Sequence, residues 1–193
     1  MRTCILSVLL IACFILCAGC TQSAPATSDT SKVTGTTTLS TELSKQVRLE
    51  TNMGTITIAL ENEMPITTGH FESLVKTGFY NGVTFHRVMD GFMIQGGDPT
   101  GTGFGGSGSP IKDEFTSHNR NDRGTVAMAN AGTNTGDSQF FINLVNNNYL
   151  DNKHPVFGKV VEGMDVVDTI GKVKTTTNNR PVQNVTIIRA EII

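Results

Sequence analysis

Residues 79–98 of the chain read FYNGVTFHRVMDGFMIQGGD and are the most informative segment about its architecture. It contains two strand-like runs, Thr84–Val88 and Phe92–Gly96, with Gly91 between them. Further short apolar runs lie downstream, at residues 125–129, 139–144, 156–161 and 185–192. Short strands joined by glycine-rich turns predict a mainly β protein.

The residues before this stretch add a hairpin and a helix. Residues 46–60 alternate between apolar and polar side chains on both sides of Asn52-Met53-Gly54, which predicts a β-hairpin. Residues 64–77 carry apolar side chains at helical spacing, with Pro65 at the start and Gly78 as a stop. With a second short helix at 163–170, the chain has eight predicted strands and two helices. Periodicity alone leaves a barrel and a sandwich both open.

Composition excludes several classes of function. The formal net charge of −2 in 193 residues is unlike the basic footprint of a nucleic-acid-binding protein. All four cysteines lie within the first 20 residues, so the folded part has no zinc framework, disulfide or cysteine nucleophile. The four histidines have no metal-ligand spacing. We therefore expect neither a metal site nor a nucleic-acid partner.

The N-terminus resembles a lipoprotein signal. Arg2 precedes an apolar run from Ile5 to Ala18, which is too short to span a bilayer comfortably but suits a secretory signal. Small residues before Cys20 predict lipidation of that cysteine, although Cys17 stands where a lipobox usually has leucine. Simple secretion and an uncleaved anchor remain alternatives. We predict a signal peptide at 1–19, a lipidated Cys20 with a Ser/Thr-rich tether at 20–45, and a folded domain at 46–193.

Two common enzyme motifs do not fit. Residues 101–106, GTGFGG, match the GxGxxG pattern, but no predicted strand leads directly into them and no helix follows, which argues against a nucleotide site. Ser107 and Ser138 lack the GxSxG elbow of many serine hydrolases.

Three sequence blocks together resemble the cyclophilin family of peptidyl-prolyl cis-trans isomerases, in a prokaryotic form with a lipoprotein-like N-terminus. They are residues 79–98 quoted above, GTVAMANAGTNTGDSQFFI at 124–142 and YLDNKHPVFGKV at 149–160. The resemblance extends over about residues 46–193. It implies a closed eight-stranded antiparallel β-barrel capped by two α-helices, isomerase activity on proline-containing polypeptides without a cofactor, and a monomer.

The resemblance also implies roles for individual residues. Arg87 is the expected catalytic arginine, with Phe92 and Gln95 beside it in the catalytic set. Gln95 and Gln139 are expected to orient the arginine and the substrate, and residues 129–131 to pair with the substrate backbone. The full expected substrate-binding set is Met93, Ala129, Asn130, Ala131, Gln139, Phe141, Tyr149, Leu150 and His154.

Three positions depart from the family pattern. Tyr149 replaces the tryptophan typical of eukaryotic members, which puts tight cyclosporin binding in doubt but not catalysis. Thr133 and Asp137 stand where proline and glycine are common, so their loop is expected to differ locally.

Rotation about an X–Pro bond needs no nucleophile or general base, because no bond is made or broken. The barrier of about 18–20 kcal/mol comes from C–N resonance, which is lost when the amide twists. The prolyl nitrogen then gains a lone pair that a permanently charged arginine can meet with an N–H donor. Two other functions stay open: a proline-segment-binding chaperone or scaffold, and an adhesion or solute-binding lipoprotein.

Overall fold

The computed structural model describes residues 44–193. The predicted signal peptide, Cys20 and the tether up to residue 43 lie outside the described residues. Within residues 44–193, no helix is both long enough and apolar enough to cross a bilayer.

Eight strands form one antiparallel sheet in the order β3-β4-β6-β5-β7-β2-β1-β8. Two α-helices pack against it, α1 (Pro65–Lys76) and α2 (Met164–Gly171), and a short 3-10 helix covers Asn148–Leu150. The predicted mainly β fold with eight strands and two helices is confirmed. The strands are β1 (Gln46–Thr51), β2 (Gly54–Leu60), β3 (Arg87–Met89), β4 (Met93–Gly96), β5 (Thr125–Met128), β6 (Phe140–Asn143), β7 (Val156–Glu162) and β8 (Ile187–Ile192).

The two edge strands are brought together by the segment that precedes β3. The Gly82 N–H donates to the Ile187 carbonyl at 2.7 Å, and the Ile187 N–H donates to the Val83 carbonyl at 2.8 Å. The Phe85 N–H also bonds the Val185 carbonyl at 2.8 Å. These bonds curl the sheet and leave little free strand edge. They also explain why the predicted strand 84–88 joins the β3–β4 ladder only from Arg87.

Alternation along the strands divides side chains between two apolar clusters. Val88, Ile94 and Ile142 point into the main core, as do most buried residues of β1 and β2. Met93, Ala127 and Phe141 alternate with core residues along β4, β5 and β6. They belong to a second, smaller cluster on the other face. In β6, Phe140 lies in the main core and Phe141 in the small cluster, as alternation along a strand requires.

Aromatic rings fill the main core beneath α1. Phe71 of α1 lies 4.9 Å from the Phe157 ring, 5.0 Å from Tyr80 and 5.4 Å from Phe140, measured between centroids. The Tyr80 hydroxyl donates to the Ser138 carbonyl at 3.0 Å, which satisfies the one polar group among these rings. This packing fixes β6, the strand that carries Phe141 to the opposite face.

Helix α1 is capped by a residue distant in sequence. The N-cap residue, Met64, has no capping side chain, and Pro65 supplies no N–H. The Glu114 carboxylate instead accepts the N–H groups of Ile66 at 3.1 Å and Thr67 at 2.7 Å. Its negative charge also lies at the positive end of the helix dipole. The contact ties α1 to the loop that follows the glycine-rich segment.

Candidate active site

The candidate site is built on a row of side chains that crosses four strands. Arg87 of β3 pairs with Gln95 of β4, which pairs with Phe141 of β6, which pairs with Ala127 of β5. Side chains opposite one another in adjacent strands share a face of the sheet. The register therefore brings a guanidinium, an amide and an aromatic ring together on the face opposite the main core.

These side chains line a cavity of about 200 Å³. Every one of its nine lining residues belongs to the set expected from the sequence. They are Arg87, Phe92, Met93, Gln95, Ala129, Asn130, Phe141, Leu150 and His154. The structure thus collects nine of the twelve expected site residues around one space, which has both apolar and polar walls.

Two walls of the cavity are held by a buried asparagine that sequence analysis did not single out as a site residue. The Asn147 side-chain amide donates to the Phe92 carbonyl at 2.9 Å, and the Asn147 carbonyl accepts the Leu150 N–H at 2.9 Å. Asn147 is 3% exposed. It is the middle residue of three consecutive asparagines at 146–148, and nothing in such a run shows which of them is buried.

The guanidinium of Arg87 is held on one side and available on the other. Its Nη1 donates to Gln95 Oε1 at 3.2 Å, and its Nη2 lies 3.1 Å from the Met89 sulfur. Its Cζ lies 6.0 Å from the centroid of the Phe92 ring. A guanidinium has five N–H donors, so these contacts leave donors free for a ligand in the cavity. The sequence analysis did not assign Met89 to the site. Its spacing could have indicated the contact, because residues two apart in a strand lie on the same face.

A chain of hydrogen bonds connects Arg87 to the glycine-rich loop. Gln95 Nε2 donates to Gln139 Oε1 at 2.9 Å. Gln139 Nε2 in turn donates to the carbonyls of Gly103 at 3.0 Å and Gly105 at 2.8 Å. Each amide uses its oxygen and its nitrogen, so the orientation of both side chains is fixed. The two glutamines therefore hold the guanidinium in place.

The glycine-rich loop is organised by a carboxylate and not by a phosphate-binding helix. Asp98 accepts the N–H of Thr100 at 2.7 Å and of Gly103 at 2.6 Å. Burial would raise the pKa of Asp98, but these hydrogen bonds outweigh it and bring the pKa well below its ordinary value. No helix begins in residues 101–110. Gly97, with φ of +89°, turns the chain against the Ser138 carbonyl, where a Cβ would clash.

His154 forms part of the cavity wall as a neutral ring. Its ring lies 5.5 Å from Phe141, edge to face, and Nδ1 lies 3.2 Å from the Met128 carbonyl. Because a carbonyl only accepts, the proton of the neutral ring is on Nδ1. Burial lowers the pKa of His154 below its ordinary value, so the ring stays uncharged at neutral pH. Among residues 44–193, no three His, Cys, Asp or Glu side chains are placed to hold a metal ion.

The segment 129–131 presents one residue's backbone to the cavity. The Ala129 N–H donates to the Gln139 carbonyl at 2.9 Å, and the Ala131 N–H donates to Thr135 Oγ1 at 2.8 Å. The Asn130 side chain is tied to the Lys153 carbonyl at 2.8 Å. The backbone N–H and C=O of Asn130 have no partner among the residues that the structure describes. They are available to pair with an extended peptide.

Three expected residues lie beside the cavity and not on its wall. Tyr149 is 63% exposed and stacks on Phe92 at the rim, with ring centroids 6.3 Å apart. Ala131 and Gln139 line an adjoining cavity instead. The expected substrate-binding residues are thus divided between two adjoining cavities, with Tyr149 at the rim of the first.

Comparison with known proteins agrees with this geometry. The family model for cyclophilin type peptidyl-prolyl cis-trans isomerases matches residues 46–192. A peptidyl-prolyl cis-trans isomerase-like 1 of Aspergillus fumigatus is 45% identical over 156 residues, covering 78% of this chain and 97% of the relative. The peptidyl-prolyl cis-trans isomerase ppi1 of Schizosaccharomyces pombe is 46% identical over 149 residues, covering 75% and 96%.

Solved structures give the same result. The crystal structure of a Cryptosporidium parvum cyclophilin type peptidyl-prolyl cis-trans isomerase has a TM-score of 0.75 and 33% identity, covering 77% of this chain and 97% of that chain. A second structure of the Cryptosporidium protein, in the presence of the dipeptide Ala-Pro, has a TM-score of 0.74, 34% identity and coverage of 77% and 98%.

Proposed function

The chain belongs to the cyclophilin-type family and is a peptidyl-prolyl cis-trans isomerase, and on this premise we propose that Arg87 and the cavity beside it are its catalytic site. The observation that carries the proposal is that nine expected residues, the guanidinium of Arg87 among them, line one cavity. The substrate is a proline-containing polypeptide, whose ring enters the apolar part of the cavity. A related structure was determined with Ala-Pro present, which supports this choice of ligand.

Arg87 acts on the twisted amide. In the planar amide the prolyl nitrogen shares its electron pair with the carbonyl, so it accepts no hydrogen bond. As the bond rotates, that pair becomes available, and an N–H of Arg87 donates to it. The interaction exists only near the transition state, so it raises the rate without tightening ground-state binding. Every 1.4 kcal/mol gained in this way gives about a tenfold rate.

The other lining residues position the two sides of the bond. Phe92, Met93 and Phe141 hold the ring in a dry space, where a charged donor is electrostatically stronger than in water. The backbone of Asn130 pairs with the peptide and keeps one side of the X–Pro bond still. Gln95 and Gln139 keep the guanidinium aimed at the nitrogen. The protein therefore catalyses by preorganisation and needs no proton transfer.

A pH–rate profile tests this absence of acid–base chemistry. Arginine does not titrate between about pH 6 and 9, and burial lowers the pKa of His154. We expect kcat/KM for a short X–Pro peptide to be constant within about twofold from pH 7 to 9. It should fall only in acid, below the ordinary histidine pKa of about 6.5, when a charge enters the apolar cavity. A bell-shaped profile centred near neutrality would contradict the proposal.

We also propose that the enzyme works outside the cytoplasm, as a prokaryotic lipoprotein that folds envelope proteins and is anchored through Cys20. The support is the sequence alone: an apolar run from Ile5 to Ala18, small residues before Cys20 and a Ser/Thr-rich segment after it. Two or three acyl chains on Cys20 would give stable membrane attachment.

Metabolic labelling of the full chain with palmitate in a bacterial host tests the anchor. The wild type and Cys17→Ser should incorporate label and sediment with membranes, because only Cys20 is modified. Cys20→Ser should incorporate none. Equal labelling of Cys20→Ser, or an unlabelled wild type, would overturn this part of the proposal.

A further inference from the structure

A second cavity, of about 330 Å³, adjoins the proline cavity. The two spaces share Gln95, Ala129 and Asn130. The other walls of the second cavity are the glycine-rich loop from Gly103 to Gly106 and the segment from Ala131 to Gln139. Since Asn130 borders both spaces, a peptide that pairs with the Asn130 backbone while its proline occupies the first cavity can extend over the second.

Asp137 is the one charged residue that lines this cavity. Its carboxylate accepts the Ser107 hydroxyl and, at 2.9 Å, the Gly108 N–H. Burial would raise the pKa of Asp137, but these hydrogen bonds outweigh it and lower the pKa below its ordinary value, so the group is ionised. His70 Nε2 lies 3.5 Å from Asp137 Oδ1 but does not line the cavity. The Ser107 backbone N–H also bonds this carboxylate. Because a carboxylate has about four acceptor sites, capacity remains for a ligand cation.

Phe104 supplies an exposed aromatic face beside the same cavity. It is 97% exposed and stands in the glycine-rich loop that forms one wall. So large an apolar side chain in full contact with water gains free energy when a ligand covers it. An aromatic face accepts both an aliphatic stem and a cation, which a lysine or arginine side chain combines.

The geometry of an extended peptide shows which substrate residue reaches this cavity. Residues two apart on a strand point to the same side, and they are separated by about 6.6 Å along the chain. With proline in the first cavity, a residue two positions away points toward the same surface, and we place the residue two positions before proline over the second cavity. The residue directly before proline points away.

We propose that Asp137 and Phe104 make this enzyme selective for peptides with lysine or arginine two positions before the proline. The inference rests on the proposed function of the adjoining proline cavity. The aliphatic stem packs on Phe104, and the terminal cation bonds the Asp137 carboxylate. Asp137 stands where cyclophilins commonly have glycine, so this selectivity belongs to this chain and not to the family pattern.

A matched peptide series tests the proposal. Two peptides with one X–Pro bond differ only at the residue two before proline, which is lysine in one and norleucine, of similar length but uncharged, in the other. With the full wild-type chain, kcat/KM for the lysine peptide should exceed that for the norleucine peptide by about fivefold, the upper end of the usual range for a partly exposed ion pair. Raising the salt from about 0.05 M to 0.5 M should reduce this ratio, because a partly exposed ion pair is screened.

Two variants locate the selectivity. Asp137→Asn should bring the ratio to about one and remove its salt dependence. Phe104→Ala loses no buried contacts, because the side chain is exposed, and it should lower kcat/KM for both peptides by about threefold through the lost stem contact. A ratio near one in the wild type, or an unchanged ratio in Asp137→Asn, would overturn the inference.

The norleucine peptide separates this inference from the proposed function. If the wild type turns it over in an Arg87-dependent manner and shows no preference for lysine, only the cation selectivity is wrong. If the wild type and Arg87→Ala turn over both peptides equally, the catalytic site itself is wrongly assigned and the inference falls with it.

Discussion

Arg87→Ala should lower kcat/KM for a short X–Pro peptide by about 10²–10³-fold, which is the usual cost of losing one preorganised donor. The loss is large because no other side chain on the cavity wall carries a permanent positive charge. Gln95 cannot substitute, since its amide nitrogen is already bonded to Gln139 at 2.9 Å. Arg87→Lys should also have a low kcat/KM, because the point charge of a lysine does not reproduce the planar guanidinium that Gln95 and Met89 hold.

A matched control is available on the far side of the sheet. Arg189 of β8 has a side chain that is 60% exposed and pairs with Glu191, so Arg189→Ala should retain activity within about twofold. A coupled proline-peptide assay on both variants measures the difference. If Arg87→Ala also stays within about twofold of the wild type, the assigned role is wrong. A scaffold that only binds proline segments would keep its function in cells after Arg87→Ala, whereas an isomerase would lose it.

Phe140→Ala and Phe141→Ala should have contrasting effects although the residues are adjacent. Phe140 packs edge-on against Phe71 at 5.4 Å, Tyr80 at 5.6 Å and Phe85 at 6.1 Å. Its loss should reduce the free energy of unfolding by about 3–5 kcal/mol, because a large cavity would remain in the main core. Folded Phe140→Ala should retain most of its kcat/KM, since the ring does not touch the proline cavity.

Phe141→Ala should instead act mainly on catalysis. Its ring lies on the opposite face, against His154, at the floor of the proline cavity. The small cluster around it can relax toward the open cavity, so the stability cost should be about 1–3 kcal/mol, while kcat/KM falls by about tenfold or more because the ring no longer seats the proline. Urea unfolding and peptide turnover on both variants measure this. Equal stability losses, or a fully active Phe141→Ala, would contradict the division of β6 between core and site.

Much of the fold followed from local patterns. Alternation at 46–60 predicted the β1–β2 hairpin, and Pro65 and Gly78 bounded α1 to within two residues. Alternation within β6 likewise accounts for Phe140 in the main core and Phe141 on the opposite face. The choice of a barrel came from the resemblance of three blocks to a known family, since strand periodicity does not encode which strands pair.

Several features could not be predicted because they depend on contacts between distant residues. Glu114 caps a helix that begins 49 residues earlier in the chain, at Pro65. Asn147, in the loop after β6, bonds Phe92 just before the adjacent strand β4, 55 residues away in the chain. The split of the expected binding set into two cavities arises where Gln139 reaches the glycine-rich loop. A sequence gives the residue types for such contacts, but only the tertiary fold brings them together.

Arg87 is proposed to bind the rotated amide and not the planar one, and this difference is directly measurable. Exchange spectroscopy on a peptide with one X–Pro bond gives both the dissociation constant and the interconversion rate of the bound peptide. For Arg87→Ala we predict an interconversion rate lower by about 10²-fold or more, with a Kd changed by less than about threefold. A Kd that rises as much as the rate falls would show that Arg87 serves ground-state binding, and would contradict the account.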